Sequence, residues 1–169
     1  MTWTAPTPVD VDGPLVGPDR PMLEGYLAWQ RKTLLNICAG LSGEQLAARP
    51  IPSSKLSLLG LVRHLTKVER TWFRIRAAGQ DVSPLYAPGT DDDFDLVDPE
   101  DAPAAFDRFR EECRLADEAV AGLGFDHEFH RGEETFSVRF AYVHLINEYA
   151  RHNGHADLLR EAIDGVTAR

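Results

Sequence analysis

The last third of the chain shows one unbroken pattern, in which hydrophobic residues recur at the steps of three and four that an amphipathic helix requires. The pattern spans Ser137 to Gly165 and predicts one long helix, with Ser137 as its N-terminal cap. Its apolar positions are Val138, Ala141, Leu145, Tyr149, Ala156, Leu159 and Ile163. We expect this face of the helix to pack against a core.

Three earlier stretches have the same spacing and predict three more helices, over residues 20–39, 57–78 and 101–122. Asp19 is the expected cap of the first helix, and Gly40 is its expected stop. No series of residues alternates between apolar and polar as strands do. Four amphipathic helices without strands predict an all-α four-helix bundle.

Two connecting segments are unusually long. Residues 1–18 hold four prolines and two glycines without periodicity, which predicts an extended N-terminal arm ahead of a single domain over residues 19–169. Residues 79–100, between the second and third helices, are rich in Pro, Gly and Asp and exceed the usual length of a bundle loop. A crossover, or a rim over a site, would explain that length.

Two other connections carry local signals. Ser42, with Gln45 three residues later, indicates a capping box at the start of a single-turn helix. The polar segment around Gly132 is too short for another helix, and we interpret it as a two-stranded turn. We expect His127 and His130 of that segment to be exposed to solvent.

The negative charge of the chain is concentrated in one place. The protein has a net charge of −9, and residues 91–101 hold seven acidic and no basic residues, so the rest is nearly neutral. This balance argues against non-specific binding to nucleic acids or anionic membranes. An acidic run is typical of a solvated loop, and this one lacks the ligand spacing of a calcium-binding EF-hand.

The two cysteines, Cys38 and Cys113, each lie near the apolar side of a predicted helix and do not form a C-x-x-C pair. We interpret both as reduced core residues of a cytoplasmic protein. The N-terminus has no basic segment followed by an apolar run, and nowhere are 18 residues in succession apolar. Secretion and membrane spanning are therefore not expected.

Four groups that can bind a metal share one face of the last helix. At about 100° of rotation per residue, all four lie within one quadrant, on or beside the apolar stripe. They are His144, Glu148, His152 and His155. Glu148 and His152 are four residues apart and point to one place, where a carboxylate and an imidazole facing a core need a partner. A divalent metal is one such partner, while a surface pair of Glu148 with Arg151 or His152 is an alternative.

The second predicted helix supplies a candidate for a third ligand. His64 lies mid-helix at the edge of the apolar stripe, and Gly60, one turn earlier, leaves space beside it. If the two helices pack together, His64 would face Glu148 and His152 at one depth of the bundle. Without that packing, His64 is a boundary histidine with an ordinary hydrogen-bond partner.

Two segments, SLLGLVRHLTKVERTWF and VHLINEYARHNGHADLLREAIDG, resemble the DinB-like superfamily of four-helix metal proteins. The similarity extends from about Leu23 to Gly165 and points to the actinobacterial branch of mycothiol-dependent S-transferases and maleylpyruvate isomerases. The metal ligands of the superfamily, one histidine on the second helix and two groups four residues apart on the last, correspond here to His64, Glu148 and His152. Many relatives have histidine where this chain has Glu148, whereas the maleylpyruvate isomerases have glutamate there.

The resemblance implies a divalent metal, zinc by ligand type, with an open fourth position at which mycothiol becomes a nucleophile toward small electrophiles. The implied activity is that of a metal-dependent thiol S-transferase or a related isomerase. A non-catalytic metal-binding or stress-response protein of the same fold is an alternative, and so is a metal-dependent hydrolase. His144 and His155 are candidates to support the ligands or to act in acid–base catalysis.

The residues that would bind the rest of a substrate are not assigned by the sequence. Arg63, Arg139 and Arg151 are available for anionic groups, and nothing in the pattern selects among them. The expected partners are a small-molecule thiol and an electrophile, not a nucleic acid or a membrane. The oligomeric state, a homodimer included, is left open.

Overall fold

The computed structural model describes residues 2–167, which form six α-helices and one β-hairpin. The helices are α1 Asp19–Cys38, α2 Gly43–Ala47, α3 Leu58–Glu69, α4 Asp92–Asp95, α5 Ala102–Val120 and α6 Val138–Asp164. A π-helix, Arg70–Ala77, continues α3, and a 3-10 turn, Pro99–Asp101, leads into α5. The hairpin pairs β1, Glu128–Arg131, with β2, Glu134–Ser137.

The four long helices α1, α3 with its π-helical extension, α5 and α6 confirm the predicted all-α bundle. Ser57 and Ser137 cap α3 and α6, each accepting a hydrogen bond from a backbone N–H three residues later. The start of α1 differs from the prediction, because Pro18 is the N-cap and Asp19 is already helical. The Asp19 carboxylate instead pairs with Arg139 at 2.5 Å.

The second half of the second long helix is π-helical, which the sequence pattern did not reveal. Its backbone bonds join residues five apart, as from the N–H of Ala78 to the carbonyl of Phe73 at 2.9 Å. π-Helical turns are rare and often lie at functional sites. This segment carries Trp72 and Arg76, whose surroundings are described below.

A buried polar cluster ties the four long helices together at one depth. Arg31 of α1 donates to both carboxylate oxygens of Glu69 of α3, at 2.7 and 2.8 Å, and also to Asp117 of α5, at 2.9 Å. The hydroxyl of Tyr149 of α6 donates to Glu69 at 2.7 Å. Because Glu69 is fully buried, its charge depends on these partners, and the cluster fixes the register of the helices.

The acidic connection is not the solvated loop that its composition indicated. Its residues 92–95 form α4, in which Asp93 is fully buried and Phe94 is 9% exposed. Phe94 also fills the space that we expected beside Gly60, since a Cβ at that glycine would lie 3.1 Å from the Phe94 ring. Seven acidic residues crowd this segment, but one of them points inward together with an aromatic ring.

The smaller elements follow the prediction. Ser42 and Gln45 form a reciprocal capping box at α2, and Gly132 turns the hairpin with a positive φ of 59°. His127 and His130 are exposed, as expected. Among residues 2–167, no helix is both long enough and apolar enough to cross a membrane.

The two cysteines and the N-terminal arm also pack against the bundle. Cys38 and Cys113 are both buried and free, and burial raises the pKa of the Cys38 thiol to about 12. In the arm, the N–H of Ala5 donates to the carbonyl of Leu41 at 2.8 Å, and the N–H of Gly40 donates back to Ala5 at 3.0 Å. The arm therefore continues the structure around the end of α1.

Candidate metal centre

Three side chains from two helices meet at one point. His64 comes from α3, and Glu148 and His152 come from α6; one ligand atom of each lies within 4.8 Å of the other two. His152 Nε2 is 3.5 Å from a Glu148 carboxylate oxygen, and the ring centroids of His64 and His152 are 4.7 Å apart. The structure thus brings together the three residues that the resemblance selected.

The position of these groups follows from the hydrophobic pattern. Leu65 and Tyr149, the neighbours of His64 and Glu148 in sequence, are completely buried where the two helices face the core. His64 and Glu148 therefore lie at the edge of the buried stripe, with side chains 17% and 20% exposed. The arrangement is therefore largely shielded from water, and part of each side chain remains at the surface.

A buried carboxylate, that of Asp93, is hydrogen-bonded to the His64 ring. Its Nδ1 lies 2.8 Å from Asp93 Oδ2, and Lys67 forms an ion pair with the same carboxylate. Burial alone would raise the pKa of Asp93, but the hydrogen bonds from His64 and Lys67, with the charge of Lys67, lower it to about 2. An ionised carboxylate can only accept, so the His64 Nδ1–H must be the donor.

This hydrogen bond leaves the other ring nitrogen of His64 free. Its Nε2 is buried and has no hydrogen-bond partner among residues 2–167. A neutral ring protonated on Nδ1 carries its lone pair on Nε2, which is the form that binds a metal. A carboxylate behind the imidazole is the usual support of a metal-bound histidine. The donor set and the unsatisfied nitrogen therefore fit a divalent cation.

His152 has a comparable support. Its Nδ1 lies 3.3 Å from Nδ1 of His155, while its Nε2 faces Glu148. Burial, and after it the neighbouring His64, lower the pKa of His152 to about 4, although Glu148 acts in the opposite direction. The ring is therefore neutral at neutral pH, as a ligand must be, and His155 touches its outer edge only.

His144 does not lie with His64, Glu148 and His152. Its ring packs against Trp72, with centroids 4.2 Å apart, and against Phe140 at 5.9 Å. Burial lowers its pKa from the ordinary 6.5, with Glu148 opposing the shift. Of the four metal-binding groups predicted on one face of the last helix, Glu148 and His152 face His64, and His144 faces an aromatic surface.

The three arginines that the sequence offered for binding anionic groups have different surroundings in the structure. Arg139 is bound to Asp19 and Asp126, far from the triad of His64, Glu148 and His152. Arg63 donates to the backbone carbonyls of residues 92 and 93 and so holds α4 in place. Arg151 is exposed on α6.

The residue that sequence reasoning missed is Asp93. A signal for it was present, because Phe94 is an apolar residue in the middle of the acidic run and so could anchor that run to the core. In the structure the Phe94 ring stacks on His64, with centroids 4.9 Å apart and planes inclined by 27°. The acidic connection therefore forms one wall of the candidate site.

Two cavities lie elsewhere in the fold. The larger, of about 800 Å³, lies between the N-terminal arm, α1 and the end of α6, and Trp29, Asp157 and Arg160 are among its lining residues. The other lies between the start of the arm, α2 and the 3-10 turn before α5. Neither is lined by His64, Glu148 or His152.

Residues 22–165 match a family model described as Mycothiol-S-transferase. The match covers most of the chain and includes all three residues of the triad. The comparison with curated proteins gives no match. By the extent of the family match, and with the all-α bundle described above, this chain belongs to the mycothiol S-transferase family of the DinB-like superfamily.

Proposed function

We propose that the protein is a metal-dependent S-transferase, in which a divalent cation held by His64, Glu148 and His152 activates mycothiol to attack a small electrophile. The observation that carries the proposal is the unsatisfied Nε2 of His64, on a ring that a buried carboxylate orients and that offers a ligand atom within 4.8 Å of those of Glu148 and His152. Membership of the mycothiol S-transferase family supplies the thiol.

The ligand types point to zinc. Two imidazoles and one carboxylate are a common catalytic zinc set, and three protein ligands leave a fourth position for a substrate. When bound, such a cation lowers the pKa of a coordinating thiol so far that the thiol is deprotonated at neutral pH.

The protein groups hold and orient the ligands. Asp93 keeps the His64 proton on Nδ1, and His155 contacts the outer edge of His152, so each ligand ring has one nitrogen directed inward. Phe94 covers one side of the His64 ring and limits access of water. Asp93 and His155 are positioning residues, since neither reaches the place where a substrate sulfur would lie.

The proposed transfer needs only the thiol and the electrophile as reactants. The thiol sulfur forms a bond to the electrophilic carbon, and the leaving group departs as an anion with the electron pair of the broken bond. The thiol proton passes to solvent. This is nucleophilic substitution by an activated thiol, and it needs no redox step.

The test is conjugation of mycothiol to monochlorobimane, followed by fluorescence, with the metal-loaded protein. We expect catalysis that a chelator removes, that added zinc restores and that the Glu148→Gln variant lacks. A protein that binds metal but is inert toward several electrophiles would be a metal-binding protein instead. Hydrolysis of an activated ester without any thiol would identify a hydrolase, and either result overturns the proposal.

A further inference from the structure

A cluster of aromatic rings lies beside the triad. It consists of Trp72, Phe129, Phe136, Phe140 and His144, and we call it the aromatic wall. Trp72 lies at its centre, with ring centroids between 4.2 and 6.3 Å from the other four. The π-helix, the hairpin and α6 all contribute to it.

The wall continues directly from the candidate metal centre. The rings of His64 and His152 are in contact. Trp72, eight residues after His64, contacts His144, which comes eight residues before His152 in α6. The two helices therefore run antiparallel, and Glu148 lies one turn from each of the two α6 histidines. A molecule that extends from the triad along this side of α6 would reach His144.

Part of this surface is open to solvent, while Trp72 and Phe129 are buried beneath it. Phe140 is 44% exposed and the nearby Val143 is 51% exposed, while Phe136 is half-buried. Exposed aromatic side chains that adjoin a site are a common mark of a binding surface for an apolar group. A flat aromatic ring could stack on these side chains, whereas a polyhydroxylated molecule could not.

A positive charge without a carboxylate partner among residues 2–167 lies against the central ring of the wall. The Arg76 guanidinium lies 4.4 Å from the centroid of the Trp72 ring. Arg70 and Arg74 of the same π-helix are bound to Glu112, but among residues 2–167 no carboxylate oxygen is within 4.0 Å of Arg76. Burial, and after it the charge of Arg131, lower the pKa of Arg76, so two cations approach each other here.

A ligand that carries a carboxylate would supply a counter-charge to Arg76. The chain carries a net charge of −9, so acidic side chains were available to neutralise Arg76 and are placed elsewhere. A half-buried guanidinium that faces an aromatic surface binds carboxylates well, through two parallel hydrogen bonds. The unpaired guanidinium beside Trp72 is therefore a specific feature of the wall.

From this juxtaposition we infer that the electrophile is a flat, apolar molecule that carries a carboxylate. Its ring lies on Phe140 and His144, its carboxylate is bound by Arg76, and its reactive carbon is directed toward the triad. The inference rests on the proposed transferase function and adds the chemical class of the second substrate to it.

The test separates binding from turnover. In calorimetry without any thiol, metal-loaded protein is titrated with 4-methyl-3-nitrobenzoate, which has no leaving group, and with its neutral methyl ester. We expect the acid to bind about 10- to 100-fold more tightly than the ester, as a hydrogen-bonded charge pair allows. The Arg76→Gln variant should lose this preference, and Arg76→Lys should retain part of it.

The matched control is Arg114→Gln, which removes an arginine from an exposed pair on α5. It should keep the preference of the wild type for the acid. Equal binding of acid and ester to the wild type, or an unchanged preference in Arg76→Gln, would overturn the inference. If the preference is present but 4-chloro-3-nitrobenzoate is not conjugated to mycothiol, the binding surface stands and the transferase function fails.

Discussion

Asp93 Oδ2 lies 2.8 Å from His64 Nδ1, so a residue of the acidic connection directly fixes a histidine of the helical bundle. The carboxylate is fully buried and is shared with Lys67. The contact determines which nitrogen of His64 carries the proton, and it joins the connection between α3 and α5 to the candidate metal centre.

We expect Asp93→Asn to weaken metal binding by about 10- to 100-fold, the usual effect of losing such a support. The asparagine can accept one hydrogen bond but no longer offers a negative charge behind the ring. The matched control is Asp95→Asn, two residues away, since that carboxylate is exposed and pairs only with Lys55. Competition with a chromophoric chelator measures both affinities, and equal losses in the two variants would contradict the role of Asp93.

The same carboxylate predicts a pH dependence of stability. The pKa of Asp93 is lowered from 3.8 to about 2 in the folded protein, so its contribution is complete above about pH 4 and is lost as the pH falls toward 2. The contribution is about 2 kcal/mol. Urea unfolding of chelator-treated protein at pH 5 and pH 2 should show a loss of this size in the wild type beyond that in Asp93→Asn. Parallel losses in the two proteins would show that Asp93 titrates normally.

Much of the architecture could be predicted from the sequence because it depends on local chemistry. The caps Ser57 and Ser137 and the four-residue step from Glu148 to His152 are set by residues near one another in the chain. The burial of Asp93 was not predictable in this way. Its neighbours make the segment look like a solvated loop until Phe94 packs beside Gly60, and that contact joins residues 34 positions apart.

The buried cluster around Glu69 was also missed, since each of its members lies on a different helix. Glu69→Leu should destabilise the protein by about 3–5 kcal/mol, because it leaves Arg31 buried with Asp117 as its remaining partner. The control is Glu118→Gln in an exposed pair with Arg114, where a change below about 1 kcal/mol is expected. Urea denaturation measures both, and a small change in Glu69→Leu would show that Asp117 alone satisfies the guanidinium.

The two histidines near the end of α6 should behave differently. His152→Ala should remove most of the bound metal, whereas His155→Ala should leave most of it, since His155 contacts the outer edge of His152. Zinc content after gel filtration distinguishes them. If the His155 variant loses metal as completely as the His152 variant, His155 must be counted among the ligands.

The central claim is that His64 of α3 shares one divalent cation with Glu148 and His152 of α6. The most direct test is elemental analysis of tag-free protein after zinc reconstitution, with His64→Ala beside the double variant His127→Ala/His130→Ala, which removes two exposed histidines from the hairpin segment. We predict about one zinc per chain in the wild type and the hairpin variant, and almost none in His64→Ala. Full zinc occupancy in His64→Ala would contradict the shared site.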